Sequence, residues 1–283
     1  MSIKNIAILG AGTMGQGIAQ VCLDFGFSVH VYDVHEEGLE RARQAIEKDL
    51  KRQIQRGKRS ESEADEMLKR LSLLTQWAPD ADLVIEAVPE NLELKRQLLR
   101  QAEDGGRPDT LLATNTSTLS VSAIGGGLKR PENLVGLHFF NPAPRMPLVE
   151  VIAGDLTSVE TLETATAWVK AIGKKALLVR DTPGFVVNRV ARPFYGEGLR
   201  LLEEGANPSD VDRLLRASGF KMGPFELMDL IGLDVNLANT KSIYRSSFED
   251  PKYRPSSIQQ RLVDSGRLGR KTGRGFYTYP EDS

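Results

Sequence analysis

The sequence predicts an α/β fold, with a mostly parallel sheet in residues 1–182 and a smaller all-helical part in residues 183–283. Three observations carry that prediction. Short apolar runs alternate with segments of helical apolar spacing from residue 3 to about residue 179. The first run feeds a glycine-rich turn that opens a helix. The alternation then stops at Asp181-Thr182-Pro183-Gly184, beyond which the spacing is mainly helical.

Composition agrees with a globular chain long enough for two domains or one large one. Of 283 residues, 40% are hydrophobic and 27% charged. A formal net charge of -1 gives no general electrostatic reason to expect nucleic acid or a membrane surface as partner. The single cysteine, Cys22, falls among apolar residues of a predicted helix, where it reads as a small buried hydrophobe. It forms no intrachain disulfide, and a reducing compartment is the natural expectation. The chain runs within a few residues into the glycine turn, leaving no room for a signal sequence, and no apolar stretch approaches the roughly 20 residues of a membrane span. A soluble, cytoplasmic protein is expected.

In chain order, residues 3–9 are a mostly apolar strand, followed by Gly10-Ala11-Gly12-Thr13-Met14-Gly15 and a helix that runs to Gly26. Strand, glycine turn and helix in that order form a dinucleotide-binding unit of Rossmann type. Gly10 allows the tight turn, Gly12 admits a pyrophosphate close to the backbone, and Gly15 lets helix and strand pack closely. A second strand, 28–32, ends in Asp33, where a carboxylate accepts from ribose hydroxyls and repels a 2′-phosphate. NAD is therefore expected over NADP. A helix N-cap at Asp33 is a compatible alternative.

Residues 36–70 are strongly charged and helical, broken near Gly57, with Lys51, Arg52, Arg56 and Lys58 forming a basic segment. Ser60 and Glu63 have the spacing of a capping box. A solvated helical hairpin accounts for this charge, unless the ligand carries several phosphates. Strands at 71–75, 82–88 and 110–114 continue the sheet, with Pro89-Glu90-Asn91 and a helix containing Lys95 after the second and Asn115-Thr116-Ser117-Thr118 after the third. Glu90 and Ser117 thus fall at carboxyl ends of strands, the rim where such sheets bind ligands, although turn and cap roles fit them equally.

The stretch 133–152 carries the candidate chemistry. A buried strand delivers His138, the Asn141-Pro142-Ala143-Pro144 loop leaves regular structure, and a second apolar run, 148–152, contains one acid, Glu150. A histidine and a carboxylate so embedded can meet as a base and its orienter. Two core strands with a buried histidine would give the same pattern. The other two histidines, His30 and His35, flank the end of a different strand, which leaves His138 as the candidate proton acceptor.

A helix over 159–172 and a strand over 176–179 complete the sheet part. The helical part opens with a helix from residue 185 to about 204, carrying Asn188 in its first turn, where it serves a substrate or a cap. Further helices span 208–248, with a start at Met222-Gly223-Pro224-Phe225-Glu226. Their apolar faces suit either a domain core or a dimer contact. The tail 268–277 is rich in glycine and cations, and folding it back would bring Lys271 to a phosphate or cofactor.

Taken together, GAGTMGQGIA, EAVPENLELK, ATNTSTLS, GLHFFNPAP with LVEV, DTPGFVVNR, MGPFELMDLIGLD and GRKTGRGFY make the chain resemble the L-3-hydroxyacyl-CoA dehydrogenase family over nearly its whole length. The resemblance implies an NAD-binding domain, a helical domain that commonly dimerises, and an acyl-CoA substrate. It makes His138 the catalytic base and Glu150 its orienting carboxylate. Ser117 and Asn188 then hold the substrate's reacting oxygen, and Asn141 lies near the nicotinamide. Residues Gly10, Ala11, Gly12, Thr13, Met14 and Gly15, with Asp33, Glu90, Lys95, Ser117 and Lys271, take cofactor positions, and Arg56 lies in the region that meets CoA. The chain departs from the family pattern at Asp49, where a small hydroxyl residue is usual, and at Arg145 and Pro147, where a hydrophobic residue and a lysine are usual. The reaction implied is oxidation of an L-3-hydroxyacyl-CoA to the 3-oxoacyl thioester. A related sugar-acid dehydrogenase of the L-gulonate type and a non-catalytic NAD-binding protein are the alternatives.

Overall fold

The computed structural model describes residues 3–77 and 80–280. They fall into two compact units, divided between Phe185 and Val186.

In chain order the first unit contains β1 (Asn5–Leu9), α1 (Thr13–Asp24), β2 (Ser28–Tyr32), α2 (Glu36–Gln55), α3 (Glu61–Lys69), β3 (Leu71–Leu74) and β4 (Leu83–Glu86). It continues with α4 (Leu92–Gly105), β5 (Leu111–Thr114), α5 (Val121–Gly125), β6 (Leu134–Phe139), β7 (Leu148–Ala153), α6 (Val159–Ala171) and β8 (Lys175–Arg180). The strands make one sheet in the order β3-β2-β1-β4-β5-β6-β7-β8. All neighbours are parallel except β6 and β7, which pair antiparallel.

Successive side chains of a strand point to opposite faces, and here both faces are covered. Ile6, Ile8, Val29, Val31, Ile85 and Val135 enter one core. Ala7, Leu9, Val84, Leu112, Leu134 and Ile152 enter the other. Burial on both sides is why the strands read as continuous apolar runs. Cys22 is buried in α1. The capping box at Ser60 and Glu63 is formed in both directions. Helix α5 was not predicted, because five residues are too few to show a helical period; Ser120 caps it.

The second unit contains α7 (Val187–Glu203), α8 (Pro208–Ala217), α9 (Pro224–Ile231), α10 (Leu233–Ser246) and α11 (Ser257–Asp264). Its core joins Tyr195, Leu199, Val211, Phe225, Met228, Leu233 and Leu262. Helix α7 begins at Val187 and not at residue 185, since Phe185 takes a left-handed φ of 47°. The Phe185 side chain is buried in the sheet core. The glycine-rich tail folds back onto Asp229, whose carboxylate accepts from Phe276 N, Tyr277 N and Tyr279 Oη at 3.0 Å each. Gly269 and Gly275 admit that carboxylate residue: a Cβ on either would lie within 2.3 Å of Asp229 atoms. Among the described residues no helix is long and apolar enough to cross a membrane.

Candidate active site

The glycine turn has the shape that its residues require. Gly10 has φ +103°, and a Cβ on Gly15 would stand 1.8 Å from Gly10 O. A Cβ on Gly12 would meet nothing within 4 Å, so space lies open over the start of α1. Gly12 is the N-cap of that helix, no side chain caps it, and no acid occupies its first turn. Uncapped first-turn amides beneath open space fit a pyrophosphate. Asp33, beyond the end of β2, accepts from Ala11 N at 2.8 Å through Oδ2 and from His35 N at 3.0 Å through Oδ1. The N-cap of α2 is His35, so the capping alternative for Asp33 does not hold. Its carboxylate instead ties the glycine turn to the end of β2.

At the carboxyl ends of β4 and β5 lies a network of acids around one ammonium. Lys95 is 1% exposed, and its Nζ lies 2.8 Å from Glu86 Oε1, 3.1 Å from Val88 O and 3.3 Å from Glu90 Oε2. Its three donors all have protein partners. Burial raises the Glu86 carboxyl above its ordinary value despite Lys95 and the Thr114 hydroxyl. Burial also pushes Glu90 upward, but the Lys95 charge and the hydrogen bonds from Ser117 and Thr116 outweigh it and hold that carboxyl below its ordinary value. Glu90 Oε1 accepts from Ser117 N at 2.6 Å and from Ser117 Oγ at 3.0 Å. Glu90 thus links the Lys95 ammonium to Ser117 at this rim. Sequence reasoning missed Glu86 and Thr116; the available signal was an acid closing an apolar strand ahead of a lysine in the next helix.

His138 and Glu150 stand directly opposite each other in the β6–β7 ladder. The His138 Nδ1 lies 2.7 Å from Glu150 Oε2, with the two residues 6% and 0% exposed. A carboxylate at Nδ1 fixes the tautomer with its proton there and leaves the Nε2 lone pair as acceptor. The imidazole packs against the rings of Phe140 and Phe185, at centroid distances of 4.5 and 5.8 Å. Phe139 N donates to Asn115 Oδ1 at 2.9 Å, which ties β6 to the loop after β5.

Asn141 is exposed and lines a cleft of about 300 Å³ with Thr13, Gln16, Asp49 and Arg145. Asp49 accepts from Gln53 Nε2 at 2.7 Å and from Gln20 Nε2. Arg56, at the end of α2, is exposed, as are Lys51, Arg52 and Lys58. In the second unit, Asn188 lies half-buried in the first turn of α7. Lys271 Nζ lies 2.7 Å from Asp234 Oδ2. Burial opposes ionisation of Asp234, but the hydrogen bond and charge of Lys271 hold its carboxyl below the ordinary value. Among the described residues no group of three or more His, Cys, Asp or Glu side chains could hold a metal ion.

Two family models match the chain: the 3-hydroxyacyl-CoA dehydrogenase NAD binding domain over residues 5–182, and the 3-hydroxyacyl-CoA dehydrogenase C-terminal domain over residues 184–279. The chain is 45% identical to 3-hydroxyadipyl-CoA dehydrogenase of Escherichia coli, with 99% of this chain aligned to 60% of that protein. It is 41% identical to a probable 3-hydroxybutyryl-CoA dehydrogenase of Bacillus subtilis, over 99% of both chains. A crystal structure of 3-hydroxybutyryl-CoA dehydrogenase from E. coli superposes with a TM-score of 0.96 at 44% identity, covering 100% of this chain and 61% of that one. With both of its units matched by models of one family and full-length relatives at this identity, the chain belongs to the 3-hydroxyacyl-CoA dehydrogenase family.

Proposed function

We propose that this chain catalyses the reversible, NAD-dependent oxidation of an L-3-hydroxyacyl-CoA to the 3-oxoacyl-CoA, with His138 as general base oriented by Glu150. The observation that carries the reading is their pairing at 2.7 Å, buried in the sheet that also bears the glycine turn. When bound, NAD accepts the hydride that leaves carbon 3. The first-turn amides of α1, with Gly10, Ala11, Gly12, Thr13, Met14 and Gly15 around them, hold its pyrophosphate, and Asp33 accepts from its ribose.

His138 Nε2 removes the proton of the 3-hydroxyl as the oxidation proceeds, and the Glu150 carboxylate stabilises the imidazolium so formed. In the reverse direction the imidazolium returns that proton. General-base help of this kind contributes about 10² to 10⁴ in rate. Ser117 and Asn188 hold the reacting oxygen, and Asn141 flanks the nicotinamide. Glu90 and Lys271 contact the cofactor, and Lys95 acts through Glu90. Arg56 meets the phosphates of CoA, whose binding energy serves to position the distant acyl end.

A buried lone Cys22 suits a reducing cytoplasm, and exposed Val190, Leu214, Phe220 and Phe248 supply apolar surface for a homodimer. Light scattering at twice 31.2 kDa checks the pairing. NADH absorbance with 3-hydroxybutyryl-CoA and then L-gulonate tests the activity. Turnover of the thioester is expected; turnover of gulonate alone would make the chain a sugar-acid dehydrogenase. NAD binding with neither substrate oxidised would make it non-catalytic.

A further inference from the structure

The second unit buries a cation that the reading above leaves without a role. Arg192 lies on the inward stripe of α7 and is 5% exposed. Its Nη1 donates to Asn236 O at 3.0 Å and to Thr240 Oγ1 at 2.9 Å, and its Cζ lies 4.7 Å from the centre of the Tyr195 ring. None of these groups carries a formal negative charge. Lys252 and Arg254 line the same small cavity beside Arg192, Tyr195, Thr240 and Gln259. Among the described residues no salt bridge reaches any of the three cations. The acids at the rim are engaged locally: Glu203 Oε1 accepts from Ser256 Oγ, and Asp250 Oδ1 from Lys252 N, each at 2.9 Å.

The unmet groups at and beside Arg192 are donors. Arg192 Nε and Asn236 Nδ2 are buried without a hydrogen-bond partner, whereas the Asn236 Oδ1 acceptor is taken by Gln259 Nε2 at 3.0 Å. The cavity is about 10 Å³, room for one water-sized group such as a carboxylate oxygen. Of Arg192 and Asn236 it is Arg192 that lines the cavity, and water there would accept its spare hydrogen bond but leave the guanidinium charge without a counter-charge, which is costly in a buried setting. Burial already pulls Arg192 below its ordinary pKa. An anionic acceptor corrects both deficits together, and a guanidinium beside two further cations suits a carboxylate.

We propose that this cavity binds a carboxylate. Two sources have that chemistry: a free small carboxylate, and the far-end carboxylate of a dicarboxylic acyl chain. The second rests on the acyl-CoA reading above. It draws support from Arg192 following Asn188 by four residues on one helix, about 6 Å along its axis, on the same side.

Two measurements on the full chain test the site. In thermal unfolding, adipate is expected to raise the midpoint by about 2 °C or more over sodium chloride of equal ionic strength. Arg192→Met should remove that rise, and so should Arg254→Gln, whose exposed side chain is the safer change for folding. In NADH assays, kcat/KM for 3-hydroxyadipyl-CoA is compared with that for the methyl-ended 3-hydroxyhexanoyl-CoA. A preference of about tenfold or more for the diacid thioester, lost in the same variants, identifies the acyl chain as the source. A midpoint rise without that preference identifies the free anion. Absence of both effects in the wild-type chain, or their persistence in both variants, overturns the site. Failure to oxidise either thioester overturns the acyl-CoA reading instead, and the midpoint alone then decides for or against the cavity.

Discussion

His138 acquires a defined proton inventory only through Glu150. With Oε2 at 2.7 Å from Nδ1, the carboxylate takes that proton's hydrogen bond, and Nε2 is the nitrogen left to accept. Glutamine at 138 has no titratable nitrogen. The His138→Gln variant is expected to lose about 10² to 10⁴ in kcat while its NAD Kd stays within about twofold. The Glu150→Gln variant makes a subtler change. Its amide can donate to Nδ1, which turns the imidazole to the tautomer with its proton on Nε2, and its neutrality withdraws support from the imidazolium. A fall of about 10² or more in kcat is expected, again with NAD binding retained. Stopped-flow turnover and NADH fluorescence titration measure the two quantities separately. Parallel loss of NAD binding would instead mark His138 as structural. Both residues were visible in the sequence as polar groups in apolar strands. Their facing register was not, because a one-residue slip of β7 would send Glu150 to the other face and the loop between them is too long to fix it. Lys95 shows the same limit: its place in the motif was legible, while its burial against Glu86 depended on how helix α4 folds back over the end of β4.

At the scale of elements, the alternation of apolar runs and helical spacing was enough to find the strands, since a sheet covered on both faces leaves them continuously apolar. The direction of β7 was not legible, because parallel and antiparallel partners share the same period. Nor was the clamp that fixes where the sheet starts. Asp82, just before β4, accepts from Lys4 N at 2.7 Å and Asn5 N at 2.8 Å, and it also pairs with Arg107. Burial by itself raises this carboxyl, but the Asn5 amide, the Arg107 guanidinium and the Lys4 amide together hold it below its ordinary value of 3.8. A carboxyl depressed in the folded state stabilises the fold above its unfolded-state value, and that contribution disappears as pH falls through the folded value. Arg107 is 41% exposed and solvent-screened, so most of the contribution comes from the two amides. Asp82→Asn is expected to cost about 1 to 2 kcal/mol at pH 7. Urea unfolding between pH 7 and 3 should show the gap between variant and wild type closing below about pH 4. A gap independent of pH would mean that the amides need only a neutral acceptor.

For the whole molecule, the break in pattern at residues 181–184 falls between the end of β8 at Arg180 and the start of α7 at Val187. Each unit has its own core, with the sheet residues in two clusters and Tyr195, Phe225 and Met228 anchoring the helical one. Net charge was equally legible, and under the proposed function it bears on how an anionic thioester is captured. At a formal net charge of -1 the chain exerts no overall attraction on CoA, so any electrostatic help must be local. The exposed cations at the end of α2, Lys51, Arg52, Arg56 and Lys58, form such a local source. Their field is screened over about 8 Å at physiological ionic strength and about 3 Å at 1 M. Raising salt should therefore increase KM for a CoA thioester severalfold, whereas the matching thioester of N-acetylcysteamine, which lacks the phosphates, should keep a nearly constant KM. If Arg56 meets CoA as proposed, the Arg56→Gln variant should flatten the salt slope for the CoA substrate while kcat at saturation is unchanged, since a cation of that kind acts on capture and not on the hydride step. Equal salt slopes for the two thioesters would place the effect of salt elsewhere and remove the basic segment from CoA binding.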